Sequence, residues 1–321
     1  MDDLRNSETV MSETTNGVFF GANTMNEPGP HAFSRGVARG ATAVLKLFRA
    51  IVNAGQYPPV NTKKPVRSYE PMRRFVVILL TVASQAQASG FLSDNLRISS
   101  EVLGYDLQYR VYLPEAYDAL NTLPVIYVTD GPSYISEGRM PRVLDREIGS
   151  GRITPVIAVF VDATDPDDPD VNRRNQQFVC NKDYLRFFSE ELVPTIDGRY
   201  RSAGDRESRV ILGVSFGGLN AACFGIMGSE TFGGIGMHSP AVHPVPGLLS
   251  AYEQVDRLPI RVFLTTGDTY DNAATNRQFR RILDDKGYDI EFREVAGRHN
   301  WDNWRPLIDD ALRFFFGPAG R

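Results

Sequence analysis

At 321 residues, 42% hydrophobic and 23% charged, the chain has ordinary globular composition and is long enough for one large α/β domain or two small ones. A net charge of −4 argues against a general nucleic-acid binder. Two cysteines, Cys180 and Cys223, make neither a disulfide framework nor a metal site. Cys223 falls on a predicted helix where a buried, inert thiol is expected, although an oxidising compartment leaves a bridge to Cys180 open.

Residues 1–71 are rich in Asn, Thr, Gly and Pro, with little hydrophobic periodicity beyond Val37 to Val52. Then Arg73 and Arg74 form a basic start, Phe75 to Ala83 an apolar run, and Ala86-Gln87-Ala88 a small-x-small cleavage pattern. The run is shorter than the ~20 residues a membrane-spanning helix needs. Residues 72–88 therefore resemble a bacterial signal peptide starting at Met72. The expectation is export to the periplasm or medium, with no stable membrane anchor once the signal is removed. Residues 1–71 are then a mis-set gene start or a poorly ordered extension.

Leu96 to Ser99 and Leu107 to Leu113, separated by Gly104-Tyr105-Asp106, predict an antiparallel hairpin. Pro114 to Thr122 reads as a loop with a short helical stretch. Leu123 to Thr129 is an apolar strand leading into Asp130-Gly131-Pro132-Ser133-Tyr134, and Ile153 to Val161 is another. Five aspartates between Asp162 and Asp170 invite a calcium reading, but the loop glycine and terminal glutamate of such a site are absent and two prolines stiffen the segment. A solvated loop is the better reading. Arg173 and Arg174 follow, either neutralising it or facing a substrate group.

Leu185, Phe188, Leu192 and Ile196 mark an amphipathic helix over Tyr184 to Ile196. Val210 to Leu212 is a strand and Leu219 to Ile226 a helix, and between them stands Gly213-x-Ser215-x-Gly217, the nucleophile-elbow pattern. Strands follow at Gly234 to Met237, Ile260 to Thr265 and Tyr288 to Val295, with helices at Ala274 to Lys286 and Leu307 to Phe316. This alternation predicts one α/β domain: a mostly parallel sheet with helices on both faces and an antiparallel N-terminal edge hairpin.

A serine hydroxyl needs a base at neutral pH. His31 lies before the signal, and His238 and His243 come one strand too early, which leaves His299 in the loop after the last strand. The acid should hold the imidazole and stabilise its charged form. Asp271 fits, with Asp268 as the alternative. The order Ser215, Asp271, His299 is that of the α/β-hydrolases. An oxyanion hole needs two backbone N–H groups. Phe216 would supply one and the 131–134 loop the other; Pro132 has none to give, so Gly131 or Ser133 is expected.

The Asp130-Gly131 loop, the elbow, Thr266-Gly267-x-x-x-Asp271 and Gly297-Arg298-His299-Asn300-Trp301-x-x-Trp304-Arg305 together resemble one esterase family of the α/β-hydrolase fold. It includes enterochelin-esterase-like proteins, feruloyl and acetyl-xylan esterases, S-formylglutathione hydrolases and mycolyltransferases. The resemblance covers roughly residues 95–317. It implies hydrolysis of a small-molecule ester, siderophore-like or sugar/phenolic, through an acyl-enzyme with a Ser-His-Asp triad and no metal or cofactor. This chain departs from the Gly-Gly-His of many members by placing Arg298 beside the base. It also lacks the look of the separate N-terminal domain of cytosolic enterochelin esterases. Tyr134, Trp301 and Trp304 are candidates to line an aromatic acyl or catecholate pocket, the alternative being that both tryptophans pack the last helix. Acyl transfer on the same three residues, or a non-catalytic binding protein on this scaffold, are the rivals, and the intact Ser, Asp and His set disfavours the second. Oligomeric state is not legible.

Overall fold

A computed structural model describes residues 89–318. The signal segment, the upstream stretch with His31, and the boundaries assigned there lie outside the described residues. Strands β1 (Phe91–Leu92), β2 (Leu96–Ser100) and β3 (Tyr105–Leu113) open the domain, β1 and β2 both pairing antiparallel with β3. The hairpin turns at Gly104, whose φ of 74° suits a residue without a side chain, so β3 begins two residues earlier than the apolar run suggests.

The remaining strands are β4 (Val125–Val128), β5 (Ile157–Asp162), β6 (Arg209–Val214), β7 (Gly234–His238), β8 (Arg261–Gly267) and β9 (Asp289–Val295). The sheet runs β1-β3-β5-β4-β6-β7-β8-β9, with every pair from β5 to β9 parallel and β3 antiparallel to β5. β5 starts at Ile157 rather than Ile153, because Pro155 has no N–H for the ladder.

The apolar runs exist because the central strands are covered on both faces. Val125, Tyr127 and Ile211 point to one core, while Ile126, Val128, Val210 and Leu212 point to the other. Helices α1 (Gly131–Ser136), α2 (Met140–Gly149) and α10 (Ile308–Phe316) cover the second face through Tyr134, Met140, Leu144, Ile308 and Leu312. The first is covered by α4 (Lys182–Arg186), a π-helical turn (Phe187–Leu192), α5 (Val193–Arg199), α6 (Phe216–Met227), α7 (Leu248–Gln254) and α8 (Ala273–Asp285). Each fully buried Leu, Ile or Phe adds roughly 1.5–3 kcal/mol. The π turn precedes Pro194, which has no N–H for the carbonyl four residues back and crowds it. Two short helices, α3 (Arg174–Gln177) and α9 (Trp301–Trp304), sit beside the carboxyl ends of the strands.

The cysteines are joined: Cys180 and Cys223 form a disulfide, which corrects the expected free thiol. The bridge ties the segment after α3 to the middle of α6. Among the described residues no helix is long and apolar enough to cross a membrane.

Candidate active site

β6 is central, and its last residue hands the chain straight into α6. Ser215 between them has φ 58° and ψ −115°, a conformation that costs a side-chain-bearing residue on the order of 1–3 kcal/mol. The surroundings enforce it: Ser215 N donates to His238 O at 2.9 Å, and Ser215 O accepts from Leu219 N at 3.0 Å and Ala241 N at 3.1 Å. A Cβ on Gly213 would lie 2.2 Å from Gly217 C and O, so the crossing of strand and helix requires glycine there.

Ser215 Oγ lies 2.8 Å from His299 Nε2, and His299 Nδ1 lies 2.7 Å from Asp271 Oδ1. An ionised carboxylate only accepts, so Nδ1 carries the proton of the neutral ring and Nε2 is free to accept from the serine. Asp271 also accepts from Asn272 N at 2.7 Å, Gly267 N at 2.6 Å, Ser239 Oγ at 2.5 Å and Asn303 Nδ2 at 3.3 Å. Burial pushes this carboxyl up, but the bonds from His299, Ser239, Gly267 and Asn272 outweigh it and hold the group below the ordinary aspartate value. Asp268, the alternative acid, is turned elsewhere: it accepts from Thr269 Oγ1 at 2.8 Å and Gly297 N at 3.1 Å, pinning the two loops together.

Ser239 escaped the sequence reading. Its hydroxyl takes the indole N–H of Trp304 at 2.9 Å and passes its own proton toward Asp271, and the Trp304 ring stands edge-on to His299 with centroids 4.9 Å apart. Its position just past the carboxyl end of β7, where sites on parallel sheets gather, was the available signal. His238 beside it is buried and bonded through Nδ1 to Thr265 Oγ1 at 3.1 Å. Burial lowers its pKa to about 3, so it is neutral.

The 130–134 loop is already helix. Ser133 N donates to Asp130 O at 3.0 Å, which removes Ser133 as an oxyanion donor. Gly131 and Phe216 are the first residues of α1 and α6, where backbone N–H groups have no helical acceptor. A Cβ on Gly131 would lie 2.6 Å from Phe160 C, so only glycine lets α1 begin this close to β5.

Most of the expected substrate contacts give way. Arg173 pairs with Asp165 at 2.7 Å and lies 4.3 Å over the Tyr105 ring, bracing the acidic loop. Arg174 forks onto Asp130, Nε to Oδ1 at 2.6 Å and Nη2 to Oδ2 at 2.8 Å. Tyr134 is fully buried on the inner side of α1, packed against Trp301, because a helix turns that residue to the core. Trp304 is buried against His299, and of the two tryptophans it is Trp301 that stays partly exposed. What does face solvent is Tyr270, 81% exposed, with the Arg298 guanidinium 4.7 Å from its ring centroid. These two are the chain neighbours of Asp271 and His299.

A serine at a strand-to-helix elbow, with a histidine and an aspartate on later strand ends of a parallel sheet, defines the α/β-hydrolase class. Residues 100–315 match the family described as "Putative esterase", and the chain belongs to that family of carboxylic ester hydrolases. It is 30% identical over 227 residues to the uncharacterized protein YjcH of Bacillus subtilis (strain 168), covering 67% of this chain and 93% of that one. It is 24% identical to the iron(III) enterobactin esterase of Dickeya dadantii (strain 3937), covering 67% of this chain but about half (53%) of that relative's length. A solved ferulic acid esterase superposes with a TM-score of 0.62 at 23% identity, covering 71% of this chain and 98% of that one.

Proposed function

We propose that the protein is a serine esterase working through an acyl-enzyme on Ser215, with His299 as general base and Asp271 as its partner. The observation that carries this reading is the unbroken hydrogen-bonded line Ser215–His299–Asp271. In acylation, Ser215 Oγ attacks the ester carbonyl while its proton passes to His299 Nε2. The oxyanion then meets the N–H groups of Phe216 and Gly131, each donor of this kind contributing roughly 10²–10³ in kcat. Collapse breaks the ester C–O bond, and His299 returns the proton to the departing alcohol. Water repeats the sequence to free the acid. Asp271, held ionised by its hydrogen bonds, stabilises the imidazolium formed in each half. This chemistry calls for no cofactor.

The substrate is a small-molecule ester, siderophore-like or sugar/phenolic. The activities named for the enterobactin and ferulic acid esterases support that class, as does the exposed Tyr270–Arg298 pair, which suits an aromatic or phenolate-bearing group. The same reading takes the hydrolase domain as residues 95–317, exported behind a signal at 72–88. The disulfide supports export, since such bonds persist in oxidising compartments.

The test is hydrolysis of p-nitrophenyl acetate, a feruloylated sugar and a catecholate trilactone by wild type and Ser215→Ala. Wild type is expected to turn over at least one, and Ser215→Ala to lose on the order of 10⁶ in kcat. A silent wild type, or an active alanine variant, overturns the proposal.

A further inference from the structure

We infer that Arg174 is a positioning residue for the oxyanion donors, one guanidinium bracing both backbone segments that present them. The inference rests on the esterase reading above and adds a part to it.

Both donors sit next to strained residues. Gly131 follows Asp130, at φ 57°, and Phe216 follows Ser215, at φ 58°. Backbone in that region needs support from outside. Arg174 supplies it to each segment at once. Its Nε and Nη2 grip the two oxygens of Asp130, whose side chain is only 11% exposed, and the same Nη2 donates to Val214 O at 3.2 Å, the carbonyl just before Ser215. The guanidinium also lies 5.5 Å from the ring centroid of Phe216. Thus Asp130, Val214 and Phe216, drawn from the end of β4, the end of β6 and the start of α6, converge on one cation.

Arg174 is itself anchored. It opens α3, and the segment that follows ends at Cys180, whose disulfide reaches Cys223 on the same helix that Phe216 begins. The bridge thus ties the chain six residues after Arg174 to the helix that carries the elbow. A surface substrate contact would leave the guanidinium facing outward and free, whereas here its fork is filled by a carboxylate and a carbonyl. A planar fork does this and an ammonium does not, because lysine offers a point charge that meets one oxygen at a time. Since a shift of about 1 Å in a positioned group costs up to ~10²-fold in rate, loosening the brace should appear in the chemical step.

The test compares wild type, Ser215→Ala, Arg174→Lys and the pair Arg174→Gln with Asp130→Asn, which keeps a neutral buried hydrogen bond if the lysine variant fails to fold. Rates are taken per active site titrated with an organophosphonate. Both Arg174 variants should lose on the order of 10–100-fold in kcat with little change in KM. They should also lose affinity for a trifluoromethyl ketone, which makes an oxyanion adduct at Ser215, by a similar factor. The acid limb of kcat/KM against pH should not move, because the His299–Asp271 pair is untouched. An arginine that only stabilises the fold would lower Tm and the titrated fraction, leaving kcat per site within about twofold, and that result overturns the inference. Equal loss in KM alone would overturn it too. Absence of Ser215-dependent turnover in wild type sinks the esterase reading; wild-type turnover matched by both variants sinks this inference alone.

Discussion

On one side of Ser215, the loops after β8 and β9 deliver Asp271 and His299; on the other, Asp130, Gly131 and Arg174 meet at the ends of β4 and β6. Each side buries an aspartate, and the two are handled differently. Asp271 is surrounded by neutral donors: Ser239, Gly267, Asn272 and Asn303. Among the described residues no arginine or lysine pairs with it. Asp130 receives a bidentate arginine instead. The difference follows from what each carboxylate must do. A cation on Asp271 would compete with the imidazolium that this carboxylate is proposed to stabilise, whereas dipoles hold it ionised and leave its charge to His299. At Asp130, which touches neither Ser215 nor His299 by a hydrogen bond, burial holds the carboxyl above the ordinary aspartate value, and the pairing with Arg174 pulls it back only in part.

The contrast can be broken most sharply at the two candidate acids. Asp271→Asn should lose about 10⁴ in kcat, while Asp268→Asn, whose carboxylate only ties loops, should stay within a few-fold. Comparable losses in steady-state rates would erase the distinction.

A smaller effect concerns the covalent closure on the oxyanion side. Cys180→Ser with Cys223→Ala opens a link spanning 43 residues and should cost about 4 kcal/mol of unfolding free energy by loop entropy. Urea denaturation measures it, and a loss below about 1 kcal/mol would mean that noncovalent packing alone secures the segment.

The smallest effect tests the relay of neutral donors. Trp304→Phe keeps the ring against His299 but removes the proton given to Ser239, and kcat should fall about tenfold, near 1.4 kcal/mol, at constant KM. An unchanged kcat would show that Ser239 holds Asp271 without help.

Ser215, Asp271 and His299 were legible because each is tied to a strand end, and strand ends show in the apolar runs. The parallel sheet and the edge hairpin were legible for the same reason. Tyr134 misled: Gly131-Pro132 reads as a turn, yet proline is tolerated in a first helical turn, and the helix rotates Tyr134 into the core. Helix α2, which also carries a proline near its start, passed unread for that reason. Arg174 was legible as a cation beside the acidic loop or a substrate group, but its fork onto Asp130 was not, since nothing local links it to an aspartate 44 positions away.

Periodicity and glycine spacing act over a few residues, so the sequence alone was enough for the strands, most of the helices and the chain order Ser215, Asp271, His299. Packing was needed to bring Asp271 rather than Asp268 to His299, to join Cys180 to Cys223, and to turn Arg174 inward onto Asp130. Those outcomes depend on distances between segments far apart in the chain, and the packing of helices on both faces of the sheet sets those distances.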